Sequence, residues 1–281
     1  MRREGAAAPR PLRRSCVHAI LERTVRFSKW HALGNSYLLV ERADLGRPLD
    51  GEQARRLCDV RYGIGSDGVV EIVSADDSTA QVAIWNPDGS RAEFSGNGTR
   101  IAAMWLSRRT GAESVVVAVD GRPHPARTRS DGLIEMDVGA VEVEETTTLE
   151  LVEERVELTP VSLGNPHAVV RRRESVRADL LRLGPTIESH ARFPDRTNVQ
   201  LVRVDGLHSV TALVWERGAG ETSASGSSAV AIAAAAVANG WCESPVTVSM
   251  PGGELDVLLD AENRATLTGP AELICTGETT L

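Results

Sequence analysis

One local pattern occurs twice in this chain and restricts its fold more than any other feature. Ser95-Gly96-Asn97-Gly98-Thr99-Arg100 opens an apolar run at 101–106, and 130 residues after Ser95, Ser225-Gly226-Ser227-Ser228 opens a second at 229–238. Each reads as a helix with a serine cap. The first ends near Gly111 and the second at Asn239-Gly240. A helix on a protein surface carries a polar stripe, and these two are apolar on most faces. They are therefore expected to be central, each wrapped by strands of its own half, with a cleft between their N-termini.

The flanking patterns support this plan. In the first half, strand-like segments at 25–30, 37–40, 69–73, 81–85, 114–119 and 133–138 surround a helical spacing at 51–60 and the glycine-rich turn Gly63-Ile64-Gly65-Ser66-Asp67-Gly68. Residues 140–155 are acidic with little pattern and read as a crossover. In the second half, strands at 158–163, 168–170, 197–202, 209–215, 246–250, 254–259 and 264–269 accompany helical spacing at 177–183. The expected fold class is α/β, with two pseudo-symmetric lobes, each a curved, mostly antiparallel sheet or barrel around a central helix. Residues 25–141 form the first lobe, completed by 270–281, and 142–269 the second. Residues 1–24, rich in Arg, Ala and Pro, read as a flexible extension.

Composition excludes several functions. The formal charge of −8 opposes broad binding to nucleic acid. The longest apolar run is ten residues, against the ~20 needed to span a bilayer, so no membrane partner is expected. Four cysteines (Cys16, Cys58, Cys242, Cys275) show no CxxC spacing, and the six histidines do not cluster with them. No metal and a reducing, cytoplasmic setting are the expectations. Lys29 is the only lysine and lies in a strand pattern, which disfavours a pyridoxal Schiff base. No cofactor is expected.

Two glycine-rich helix starts facing one cleft present unpaired N–H groups and the positive ends of two dipoles. That is a natural clamp for an anion such as an α-carboxylate, with backbone donors at Asn97, Gly98, Gly226 and Ser227. Neither start has the spacing of a dinucleotide fingerprint or a phosphate loop. Two tight packing turns would read the same locally. Asn35, Asn86, Asn165 and Asn198, in turns or at strand ends, together with Glu216-Arg217, are groups of the kind that hold a zwitterion.

Six ordered blocks over some 250 residues carry a resemblance: HALGNSYLLV, RYGIGSDG, NPDGSRAEFSGNGTR, LGNPHAVV, RTNVQLV and WERGAGETSASGSSA. In these the chain resembles the diaminopimelate epimerase family, whose members interconvert LL- and meso-diaminopimelate, without a cofactor, in lysine and peptidoglycan synthesis. The resemblance implies a diamino dicarboxylate substrate and a homodimer. It places Asn35, Asn86, Asn165, Asn198 and Arg217 at the distal, non-reacting end of the substrate, and Glu216 at its amino groups. Gly96-Asn97 and Gly226-Ser227 fall at the clamp for the reacting carboxylate. His167 matches an active-site loop histidine, with loop support as its other role.

The resemblance breaks at the chemistry. The family uses one cysteine on each face of the α-carbon, and both matching positions here are serine, Ser95 and Ser225. Gly68 stands where many relatives carry glutamine. A thiol titrates near 8.5, and an alkanol is a far weaker acid. A five-unit mismatch corresponds to about 7 kcal/mol, more than a helix terminus supplies. Four accounts follow: an engineered pair that traps substrate, a natural member with altered catalysis, a member that binds without turnover, or an isomerase or racemase for another amino acid.

Overall fold

The computed structural model describes residues 24–174 and 176–281. The expectation for residues 1–24 falls outside this range except at Thr24, which begins the first strand.

The first half runs β1 (Thr24–Ala32), β2 (Asn35–Glu41), α1 (Arg42–Leu45), α2 (Gly51–Cys58), β3 (Val69–Ala75), β4 (Thr79–Trp85), β5 (Arg91–Ala92), α3 (Gly96–Thr110), β6 (Ser114–Val119), β7 (Arg122–Thr128) and β8 (Ile134–Ala140). Two short strands follow, β9 (Glu142–Val143) and β10 (Thr147–Glu150). The second half is β11 (Arg155–Ser162), β12 (Pro166–Arg171), α4 (Arg177–Glu188), β13 (Asn198–Gly206), β14 (Ser209–Glu216), β15 (Gly220–Thr222), α5 (Gly226–Ala238), β16 (Val246–Met250), β17 (Gly253–Leu259) and β18 (Arg264–Gly269). The last strand, β19 (Glu272–Thr280), pairs antiparallel with β1.

The pairings repeat between the halves. β2 runs parallel to β3 and β4 to β6; correspondingly, β12 runs parallel to β13 and β14 to β16. The remaining pairings are antiparallel, including β8 with β18, which joins the two halves. This is the expected α/β fold of mostly antiparallel sheets around two buried helices.

The sequences of α3 and α5 explain their central position. Ile101, Ala102, Ala103 and Leu106 are fully buried on α3, and α5 is buried from Gly226 to Ala236. A helix built largely of alanine lets the strands approach on every side. α3 packs against β1–β4 and β6–β8, while α5 packs against β11–β13 and β16–β18. Each helix starts at a serine whose side chain accepts a first-turn N–H, a cap worth about 1 kcal/mol. The outer helices cover the parallel pairs. α2 sits with Leu38, Val40 and Val69, and α4 with Val199, Leu201 and Phe193.

Three regions differ from the sequence expectation. The 140–155 segment is not a bare crossover, since β9 and β10 both pair with β11. At two and four residues they are too short to show an alternating period. β7 escaped notice because it contains Pro123 and Pro125. Its pairing with β8 begins only at Ala126, so both prolines occupy a stretch where that edge is free. No strand was expected within 270–281, where β19 lies.

Candidate active site

The first turns of α3 and α5 meet end to end. A Cβ placed on Gly96 would lie 3.0 Å from Gly226 Cα, and one on Gly226 would lie 3.0 Å from Gly96 Cα. Glycine at both positions is what lets the helix starts touch. Arg100, with no exposed surface, is tucked beneath the contact. Its Nη1 donates to Gly96 O (3.2 Å) and its Nη2 to Asn97 Oδ1 (2.7 Å). Asn97 in turn donates to Ala224 O at 3.3 Å, tying α3 to the approach of α5. Burial pushes the Arg100 pKa down to about 10, so the guanidinium remains charged at neutral pH. Two helix N-termini and a buried cation thus concentrate positive potential at one junction.

The two serines have different surroundings. Ser95, half-buried, accepts the Gly98 N–H at 3.1 Å, and its Oγ lies 2.9 Å from the Tyr37 hydroxyl. Ser225, 4% exposed, accepts the Ser228 N–H at 3.4 Å and lies 3.4 Å from Ser227 Oγ. Beyond it, Gln200 Nε2 donates to Ser228 Oγ (3.0 Å) and to His167 Nδ1 (2.9 Å). This amide leaves the ring proton on Nε2, which donates to Asn165 Oδ1 at 3.2 Å. Burial, aided by the charge of Arg217, pushes the His167 pKa down to about 3. The imidazole is therefore neutral at working pH and braces the Asn165 loop.

A cleft of about 530 Å³ adjoins the junction, lined by Asn35, Tyr37, Asn86, Glu216 and Arg217 among others. Among the described residues Asn35 Oδ1 is buried without a partner, an acceptor left for a ligand donor. Asn86 Nδ2 donates to Ser90 Oγ at 3.0 Å. Burial raises the Glu216 pKa to about 7, opposed by a hydrogen bond from Thr222 and reinforced by Asp67. The Arg217 guanidinium donates to Asp195 O (3.3 Å) and stands 3.9 Å from Glu93 Oε2. Asn198 and Asn165 spend their side chains within the protein. Asn198 joins Pro166 O (2.9 Å) to the Arg217 N–H (3.0 Å), and Asn165 holds His167.

The structure therefore gathers Ser95, Gly96, Asn97, Ser225, Gly226 and Ser227 at the helix junction. It gathers Asn35, Asn86, Glu216 and Arg217 around the cleft, and sets Asn165, Asn198 and His167 behind the loop that carries Arg217. Two participants escaped sequence reasoning. Tyr37 reads as the start of an apolar strand, and Arg100 as a polar residue in an apolar helix. The second carried a usable signal, because a charge in a helix expected to be central needs an internal partner.

A family model for diaminopimelate epimerase matches residues 27–144 and 159–274. The chain is 36% identical over 268 residues to a diaminopimelate epimerase of Magnetococcus marinus, covering 90% of this chain and 96% of the relative. It is 37% identical over 273 residues to one of Alkalilimnicola ehrlichii, covering 90% and 98%. Among solved structures, a hydroxyproline epimerase from Agrobacterium vitis shares the fold with a TM-score of 0.71 at 16% identity, covering 92% of each chain. A Bacillus anthracis protein of the PhzF family shares it at 0.70 and 14%, covering 92% of this chain and 99% of that one. Fold and sequence together set the chain in the cofactor-independent amino-acid epimerase and isomerase superfamily. Within it, the chain belongs to the diaminopimelate epimerase family.

Proposed function

We propose that this protein epimerises a diamino dicarboxylate, LL- to meso-diaminopimelate, by moving one α-proton without a cofactor. The observation that carries this reading is the contact of two serine-capped helix starts beside a cleft whose lining includes the Glu216 carboxyl and the Arg217 guanidinium group. The first-turn N–H groups bind the reacting carboxylate and stabilise the charge that develops on it when the α-proton leaves. Ser95 and Ser225 take the two acid and base positions on opposite faces of the α-carbon. Glu216 and the free Asn35 oxygen receive ammonium groups, Arg217 receives the distal carboxylate, and Asn86 borders the same end. Asn165, Asn198 and His167 hold the Arg217 loop in place.

The test is deuterium incorporation at the α-carbon of LL-diaminopimelate in D2O, followed by NMR with no added cofactor. Incorporation accompanied by the meso isomer is the expected result. Saturable binding without incorporation overturns the epimerase reading. One observation favours that second reading, a stereoselective binder. Among the described residues, the hydrogen-bond partners of Ser225 are another serine hydroxyl and a backbone N–H, neither of them a base.

A further inference from the structure

Tyr37 and Gly68 are far apart in role at the sequence level, one a strand residue and the other a loop glycine, yet the structure makes them parts of one arrangement with Ser95. A Cβ on Gly68 would lie 2.4 Å from Tyr37 Cε1, 2.9 Å from Tyr37 Cδ1 and 2.8 Å from Trp85 O. The tyrosine ring therefore fills the space that any side chain at position 68 would take. Seated there, Tyr37 lines the cleft, and its hydroxyl stands 2.9 Å from Ser95 Oγ.

We infer that Tyr37, admitted by Gly68, is a positioning residue that orients the Ser95 hydroxyl and relays a proton through it. This rests on the epimerase reading above and supplies the acid that an alkanol lacks. A serine oxygen has two lone pairs. The Gly98 N–H takes one at 3.1 Å; the 2.9 Å contact with Tyr37 lets either hydroxyl donate, and in the relay the Tyr37 O–H takes the other lone pair. Ser95's own proton is then directed away from both donors. Burial raises the Tyr37 pKa and keeps the phenol protonated; the hydrogen bond with Ser95 opposes this, and the charges of Glu216 and Asp67 and the Cys58 thiol reinforce it.

In the protonation step, the Ser95 O–H bond breaks as the α-carbon gains its hydrogen. The Tyr37 O–H bond breaks in turn, its proton passes to Ser95 Oγ, and the electron pair remains on the phenolate. In the reverse direction, the phenolate recovers its proton through Ser95. A phenol is a stronger acid than a water-like hydroxyl, and burial narrows that advantage for Tyr37 without changing its direction.

Two measurements test the inference. In a Ser95→Cys background, the introduced thiol is titrated by its rate of alkylation with iodoacetamide, read at its own peptide by mass spectrometry. Tyr37→Phe keeps the ring and removes the donor, and is expected to raise the midpoint by about one unit, slowing alkylation roughly ten-fold on the acid side. Gly68→Ala, which displaces the ring, should reproduce the shift. No shift in either variant overturns the contact, whether or not the protein turns over diaminopimelate. In the wild-type background, Tyr37→Phe is expected to lower kcat for α-deuterium exchange at least thirty-fold with KM within two-fold. In the Ser95→Cys background, where the thiol supplies its own acidity, that loss should shrink to three-fold or less. An equal loss in both backgrounds, or a change in KM alone, overturns the relay. Absence of exchange in the wild type overturns the function reading and with it the relay step, leaving the thiol titration to decide the positioning contact.

Discussion

The two helix starts share a backbone plan and differ in chemistry. Both begin at a serine in extended conformation, both place a glycine at the point of contact, and both lead into apolar helices. Five residues after Ser95 comes Arg100, whereas five residues after Ser225 comes Val230. The first start carries a buried cation and a phenol within hydrogen-bond reach. The second carries alanines and a hydroxyl pair, backed by a neutral amide and imidazole. The two halves thus share the geometry of their helix starts, and a phenol stands beside the serine at one of them. A two-base proton transfer does not require matched partners. It requires that each face can both hold and release a proton near the working pH.

The largest effect expected from this asymmetry comes from giving each serine a more acidic atom. Ser225→Cys places a thiol, ordinarily near 8.5, where no other acid assists. It should raise α-deuterium exchange of diaminopimelate at least 100-fold. Ser95→Cys replaces a hydroxyl already served by Tyr37 and should raise exchange by about ten-fold. Each variant weakens one cap, so thermal melting of both proteins is recorded alongside, with a loss of about 1 kcal/mol expected. Equal gains at the two positions would show that the difference between the helix starts has no kinetic weight.

Along the cleft both halves contribute charge. The first supplies Asp67, Asp88 and Arg91 beside the amides Asn35 and Asn86, and the second supplies Arg196 and Glu221 beside the pair Glu216 and Arg217, whose Glu216 ends β14. The carboxylate of Asp67, from the first half, is already engaged by the Ser36 N–H (2.7 Å) and hydroxyl (2.9 Å). Arg217→Ala should therefore weaken binding of diaminopimelate about thirty-fold and binding of alanine by less than three-fold, measured by titration calorimetry. Alanine lacks the distal carboxylate, so equal weakening of both ligands would remove the distal assignment. Asn86→Ala, on the first-half side of the cleft, should fall between these values.

The comparison also shows what could be seen in the sequence. The two central helices were legible because serine caps, glycines and unbroken apolarity agree at every level, and the equivalence of the halves was legible from their spacing. β9 and β10 were not, because two or four residues cannot display a period. β7 was not, because Pro123 and Pro125 argue locally against a strand and only the late start of β8 pairing accommodates them. Around the cleft, Asn35, Asn86, Glu216 and Arg217 were suggestive only as a set and through the family resemblance, since each alone reads as a turn or surface group. The Tyr37–Gly68–Ser95 arrangement was not legible. It joins residues 37, 68 and 95 through a volume that only the folded chain defines, and a tyrosine at the head of an apolar strand reads as core.

The smallest effect concerns pH and separates the cleft's charge from its shape. Glu216 is held near 7 by burial, well above an ordinary carboxyl group. Below that value it is neutral and offers an ammonium group only a hydrogen bond. Above it the charge adds a Coulomb attraction at a site largely removed from water. Affinity for diaminopimelate should accordingly rise by about ten-fold between pH 6 and pH 8 and then level off. The amino groups of the ligand and the Arg100 guanidinium remain protonated over this range, and His167 remains neutral, so the midpoint reports on Glu216. Glu216→Gln keeps the shape and removes the titration, and its affinity should match the low-pH value of the parent at every pH. A slope that survives this substitution would move the titrating group elsewhere and leave Glu216 as a wall of the cleft. A slope that disappears while α-deuterium exchange of the bound fraction keeps its own pH dependence would separate the binding half of the site from the reacting half at Ser95.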